Sequence, residues 1–190
     1  MAIVKVKFAK HSERLLHYVL ENRGPGDIID GIGCTPDHAA SDFRSVAEFY
    51  GDKGTIQAVH VIQSWGETES NNTLPEELNR IGKGLAERSF PGHDFLVVTH
   101  TETGRTHNHI VICPWHTETG KKITNKFEHL HNLRRESDQL CREHGLSVLD
   151  SKAKDRAAKM PFSSTANLGS LIFVRRLILP EPILLPTMNM

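Results

Sequence analysis

The chain has 190 residues, enough for one domain with a substantial core. Its 23 Lys and Arg balance 23 Asp and Glu, so overall charge points neither to nucleic acid nor to membrane. The three cysteines, Cys34, Cys113 and Cys141, are odd in number and widely spaced with no Cys-x-x-Cys pair, which argues against a disulfide framework and a cysteine zinc site.

A reducing cytoplasm is the simplest setting. The opening Met-Ala-Ile-Val-Lys-Val-Lys-Phe is too short and too interrupted by lysine for a signal peptide, and no run reaches membrane-spanning length, so a soluble protein with no membrane partner is expected.

In chain order, Ile3 to Phe8 alternates apolar and basic residues, as a strand with one face on a core does. Ser12 is a candidate N-cap for a helix in which Leu15, Leu16, Val19 and Leu20 have helical spacing, which carries Tyr18 and which ends near Asn22. Gly24 to Gly33, rich in glycine with one proline, predicts a long loop able to act as a lid or a substrate edge. A second helix is predicted over Pro36 to Tyr50, with Val46, Phe49 and Tyr50 facing inward and Gly51 as its stop.

Thr55 to Trp65 reads as a strand with Gln57, Val59, Val61 and Gln63 on one face and Ile56, Ala58, His60, Ile62 and Ser64 on the other. A polar turn over Gly66 to Thr73 leads to a helix from Leu74 to about Arg88, with Pro75 in its first turn.

The most informative stretch follows. Asp94 to His100 and His107 to Cys113 are two β-branched, apolar runs around a short polar turn, a hairpin pattern. Residues two apart on a strand share a face, so His107 and His109 project together while Asn108 faces away, and His100 ends the neighbouring strand beside them. Three imidazoles converging from paired strands fill three corners of a tetrahedron or half an octahedron, with positions left for substrate or water. The chain holds 12 histidines, so chance proximity is the competing explanation; the hairpin spacing favours metal binding. Glu102 adds a carboxylate in the same turn.

Beyond the hairpin, Asn125 to His144 reads as a polar helix with a sparse stripe of Leu130, Leu133, Leu140 and Cys141. Lys121, Lys122, Lys126, Arg134, Arg135 and Arg142 concentrate positive charge there, either a solvated face or a phosphate-binding surface. The element order predicts an α+β fold, a palm-like two-layer sandwich on a mostly antiparallel central sheet with flanking helices. Residues 151–190 change character, with a proline-containing apolar run from Leu171 to Pro186. They are expected to lie outside a domain spanning 1–150, as a docked arm or as an atypical end left by truncation or frameshift of a longer gene.

A helix-borne Tyr18 in Leu-Leu-His-Tyr-Val-Leu-Glu-Asn, a strand reading Val59-His60-Val-Ile-Gln-Ser64-Trp, and His100-Thr-Glu-Thr-Gly-Arg-Thr-His107-Asn-His109-Ile-Val-Ile occur in that order. Together, over roughly residues 1–150, they resemble the relaxase/mobilization nuclease family, the MOBP-like conjugative relaxases. Asn108 departs from the pattern, since many members of the wider superfamily carry an apolar residue there.

The resemblance implies a metal-dependent DNA endonuclease and transesterase that nicks one strand at an origin of transfer through a 5′-phosphotyrosyl intermediate. Tyr18 would be the nucleophile and His100, His107 and His109 the metal ligands. Glu102 would stand for the carboxylate of the third motif, and His60 and Ser64 would lie near the scissile strand. The basic residues Lys121, Lys122, Arg134 and Arg135 are further DNA-binding candidates. A divalent ion is implied, Mg or Mn by cellular availability, with Zn or Ni compatible with three imidazoles. Implied partners are single-stranded DNA, accessory relaxosome proteins and a coupling protein. The alternative reading is a metal-binding single-strand or replication-initiation module without strand transfer. Tyr50, at a predicted helix end, reads as a core aromatic.

Overall fold

A computed structural model describes residues 2–51, 56–101, 105–123 and 127–148. Glu102 and the tail from 149 onward lie outside the described residues. The elements are β1 (Ala2–Ala9), α1 (Ser12–Glu21), β2 (Ile28–Ile32), α2 (Ala39–Phe49), β3 (Ala58–Trp65), α3 (Glu67–Asn72), α4 (Pro75–Ser89), β4 (His93–His100), β5 (His107–His116) and α5 (Phe127–Glu143). The five strands form one sheet in the order β1-β3-β5-β4-β2, with every neighbouring pair antiparallel.

The α+β sheet with flanking helices is as expected, but its helices lie on both faces. β3, β4 and β5 are buried almost throughout, because each side of these strands meets a helix layer. On one face Val59, Val61, Val97, Ile110 and Ile112 pack with Leu78, Ile81 and Leu85 of α4 and Leu133 and Leu140 of α5. On the other, Leu96, Val98, Val111 and Cys113 pack with Leu16 and Val19 of α1 and Ala39 and Phe43 of α2. The expected two layers account for the α4–α5 side; α1 and α2 add a third, partial layer.

Four local expectations are corrected. Gly24 to Gly33 is not all loop: Ile28–Ile32 forms edge strand β2 on β4, and a Cβ at Gly31 would lie 2.9 Å from the Phe95 carbonyl. A glycine that reads as a loop signal is here the residue that lets two strands approach. The polar turn after Trp65 contains the short helix α3. In α2 the buried stripe runs through Ala39 and Phe43, leaving Phe49 off it and 81% exposed. Helix α1 begins at Ser12 with His11 as its N-cap, and the Ser12 backbone N–H donates to Gln57 Oε1 at 3.4 Å. Among the described residues no helix is long and apolar enough to cross a membrane.

Candidate active site

The register of the three middle strands builds the site. His100 lies opposite His107, Val98 opposite His109, and Ser64 and Ile62 of β3 oppose the same two histidines from the other side. Directly opposed residues share a face of an antiparallel sheet, so these side chains all project toward the α1–α2 layer. Nitrogens of His100, His107 and His109 lie within 4.8 Å of one another, and the ring centroids are 4.8 to 5.2 Å apart.

Each ring is held by a protein contact at one nitrogen. His107 Nδ1 is 3.1 Å from the Arg105 carbonyl, His109 Nδ1 is 2.8 Å from His60 Nε2, and His100 Nε2 is 3.1 Å from the Val19 carbonyl. This leaves Nδ1 of His100 and Nε2 of His107 and His109 as the nitrogens that would ligate an ion. The donor set therefore fits a divalent transition metal, with an anchoring partner behind every ligand.

Burial favours the neutral form of His60, His107 and His109, the form that carries a ligating lone pair. It pushes His60 down to about 4, with the Lys7 charge adding to the effect. It pushes His109 well below the usual range, followed by repulsion from His60, His107, His100 and Lys7. His107 is lowered by burial, against an opposing contribution from its bond to the Arg105 carbonyl.

Tyr18 reaches this cluster from α1. Leu16 and Val19 bury that helix against the sheet, and Tyr18 falls on the flank of their stripe, 52% exposed. Its ring meets His109 edge-on with centroids 6.1 Å apart. A tyrosine and a histidine more than ninety positions apart in the chain thus share one site. The other tyrosine is elsewhere: Tyr50 stacks on Trp115 at 5.8 Å, and its hydroxyl donates to the Thr117 carbonyl at 2.6 Å. Trp115 is six residues beyond His109 on β5, about 20 Å along the strand. Tyr50 is the packing aromatic the sequence suggests.

The remaining candidates divide. Ser64 is half-buried across from His107, beside the cluster. His60 does not lie open to a DNA strand: it is 5% exposed and stacked behind His109 at 5.0 Å. Lys121 and Lys122 are at the Trp115 end of β5, with the Lys122 ammonium 4.6 Å from the Trp115 ring centroid. Arg134 and Arg135 are on α5, which packs on the face opposite the histidines, and Arg135 pairs with Glu136 at 3.6 Å. None of these four basic residues is brought to the cluster.

Two groups of residues escaped sequence reasoning. Asp27, in the predicted loop, has a side chain only 1% exposed, 3.9 Å from His100 Nε2. Its Oδ1 accepts from the Thr101 backbone N–H at 2.9 Å and the Thr101 hydroxyl at 3.2 Å, and its Oδ2 from the Gly24 N–H at 2.9 Å. It ties the loop after α1 to the end of β4 and supplies a carboxylate behind His100. The second group lies on the reverse of the strands that carry the histidines. Asn108 Nδ2 donates to the Leu78 carbonyl at 2.7 Å and to Gln63 Oε1 at 3.3 Å, while its Oδ1 accepts from the Thr99 hydroxyl at 2.7 Å. Asn79 donates to Thr99 Oγ1 at 2.9 Å, and Gln63 donates to Ser137 Oγ at 2.9 Å. A glycine at 82 makes room, since a Cβ there would be 2.1 Å from Asn108 Nδ2.

Residues 18–146 match the relaxase family described as MobA/VirD2-like, nuclease domain. The chain belongs to this family. Two curated relatives from Staphylococcus aureus, both named Protein rlx, are 36% identical over 163 residues (86% of this chain, 48% of the relative) and 39% identical over 150 residues (79% and 46%). The chain spans about half the length of the curated relatives it matches. Among solved structures, the MobM relaxase domain (MOBV) bound to 22-nucleotide pMV158 oriT DNA, Mn-bound at pH 4.6, superposes with a TM-score of 0.63 at 9% identity, covering 89% of this chain and 98% of that one. The same domain bound to 26-nucleotide oriT DNA gives 0.58 at 11% identity, covering 79% and 90%. At such identities the likeness is one of fold, and this relaxase shares it.

Proposed function

We propose that this relaxase chain nicks one DNA strand at an origin of transfer by transesterification on Tyr18, and that the nick starts mobilization of a plasmid or integrative element. The observation that carries the reading is the half-exposed Tyr18 ring edge-on to His109, one of three imidazoles whose candidate ligand atoms lie within 4.8 Å of one another. The MobM structures, with oriT DNA and Mn, support a DNA strand and a divalent ion as the groups that complete it.

In the step itself, the Tyr18 phenol oxygen forms a bond to phosphorus as the P–O3′ bond breaks. The phenol gives up its proton, the departing 3′-oxygen becomes a hydroxyl, and the 5′-phosphate remains on the tyrosine. One phosphodiester replaces another, so the reverse attack by a 3′-hydroxyl rejoins DNA without ATP. A phenol with an ordinary pKa near ~10 is protonated at neutral pH and its anion is repelled by the phosphate, so the site must both accept the proton and offset charge. A divalent ion on His100, His107 and His109 would supply that charge, Mn or Mg by cellular availability. His60 and the Val19 carbonyl contact two of the rings from behind, with the Asp27 carboxylate 3.9 Å from the second, and such partners would orient the ligating nitrogens. Glu102, Ser64, accessory relaxosome proteins and a coupling protein belong to this reading as expectations from the family.

The test uses an oligonucleotide carrying the DNA that flanks this gene, labelled at its 3′ end and incubated with the protein and Mn²⁺. A covalent adduct on a denaturing gel is expected for the natural chain and none for Tyr18→Phe, with Mn²⁺ binding by calorimetry unchanged. Tight binding without any adduct would favour a single-strand binding module instead.

A further inference from the structure

The alternation Ile3-Val-Lys5-Val-Lys7-Phe8 has an apolar half that the fold absorbs: Val4 is in the α4–α5 core, and Val6 and Phe8 pack against it. Its basic half points to the opposite side. Lys5 opposes Ile62, which opposes His109, and Lys7 opposes His60, which opposes Val111. Opposed residues share a face, so both lysines project from the face that bears the histidines, two strands or about 10 Å from His109.

We propose that Lys5 and Lys7 hold phosphates of the substrate single strand, which crosses the β1–β3 half of the histidine face between the edge strand and Tyr18. This rests on the nicking function above and specifies the path by which the strand reaches that site. α1 and α2 pack over β5, β4 and β2 through Leu96, Val98, Val111 and Ile29 and reach β3 and β1 at Ala58 and Ala9; beyond that cover the edge presents Lys7 exposed and Lys5 and Ser64 half-buried, with His60 and Ile62 buried beneath. Tyr18 meets His109 on β5, the strand next to β3. The lysines are two residues apart, about 7 Å along β1, a spacing that addresses separate phosphates. Lys7 is near enough for its charge to act on both His60 and His109. The chain as a whole carries no net charge, so affinity for a polyanion must come from where its cations are placed. Lys121 and Lys122 lie at the far end of β5, and Arg134 and Arg135 lie behind the sheet; a phosphate near Tyr18 meets neither pair. The competing role for lysines on an edge strand is to block sheet-to-sheet aggregation, which any polar residue there would also serve.

The experiment measures binding of the full chain to fluorescein-labelled oligo(dT) of twenty nucleotides by anisotropy, between 50 and 200 mM NaCl. Phosphate contacts are sequence-independent, so a homopolymer reads them. K5Q/K7Q should weaken binding about tenfold at the lowest salt and lower the slope of log K against log salt by about 1.4, roughly 0.7 for each phosphate on a single strand. K5R/K7R, which keeps both charges, should restore both quantities, and R134Q/R135Q should leave both at the natural values. An unchanged slope in K5Q/K7Q overturns the proposal, and so does K5R/K7R as weak as K5Q/K7Q, since the loss is then one of structure. If K5Q/K7Q loses strand binding while the covalent adduct still fails to form in the natural chain, the path stands and the nicking function falls. If the natural chain binds no single strand, both fall.

Discussion

The two sides of the same three strands can be compared residue by residue. His100, His107 and His109 point to one side; Thr99 and Asn108, their chain neighbours, and Gln63, which opposes Asn108, point to the other. Both rows are polar and buried in the middle of a sheet, a costly placement unless hydrogen-bonded. The amide row is satisfied entirely within the protein, each group bonded to another of the row or to α4 and α5. Among the described residues each imidazole has a hydrogen-bond partner at one nitrogen, and the three rings offer ligand atoms within 4.8 Å of one another. A polar row that closes on itself serves position; one that stops a bond short is built for a ligand.

The comparison is broken most severely at the imidazole row itself. His109→Ala should lower Mn²⁺ affinity more than the hundredfold that is the upper end for loss of an outer partner, while the folded state survives; calorimetric titration checks this, and retained affinity would remove His109 from the ligand set. Acid attacks the same row. His60 in the folded chain titrates at about 4 against an ordinary 6.5, and His107 and His109 are lowered as well. Between those values the unfolded chain binds more protons than the folded one, so stability is full above about pH 6.5 and is lost as pH falls toward 4. For His60 alone the loss is on the order of 3 kcal/mol. Thermal melts of the metal-free protein should drop steeply from pH 7 to pH 5, and a flat profile would contradict the burial of neutral imidazoles.

The amide row breaks differently. Asn108→Leu keeps the branched shape but leaves the Leu78 carbonyl, Gln63 Oε1 and the proton of the Thr99 hydroxyl without this partner, at a cost of about 3 kcal/mol in urea unfolding. Its Mn²⁺ affinity, measured on the folded fraction, should fall far less than that of His109→Ala. The smallest effect belongs to the partner behind a ligand. His60→Leu should weaken Mn²⁺ about tenfold, and His60→Gln, whose oxygen can still accept from His109 Nδ1, should recover most of the loss; equal weakening in both would mean that the hydrogen bond is irrelevant.

Much of this arrangement was legible because it is periodic. The alternation in β3 and the His-x-His spacing in β5 assign faces without knowledge of any contact, and the helical spacing around Tyr18 assigns its element. What was hidden depends on contacts distant in sequence. Asp27 looks like a loop residue until Thr101, 74 positions later, is brought to it. Strand β2 is masked by Gly31, whose lack of a side chain serves its approach to β4. His60 could be placed on the right face by alternation, but only the register shows that His109 lies in front of it. The basic residues near α5 misled because charge density along the chain says nothing about which side of a sheet a helix covers. Asn108 carried a usable signal: an amide between two histidines in an otherwise apolar strand implies buried partners.

Tyr18 is the group proposed to become linked to DNA, and the direct measurement is mass spectrometry of the covalent adduct after trypsin and nuclease digestion. The nucleotide is expected on the peptide Leu15–Arg23, with fragment ions placing it on Tyr18 and a bond that survives acid. A nucleotide on Tyr50, or an acid-labile link on His17 or one of the cluster histidines, would contradict it.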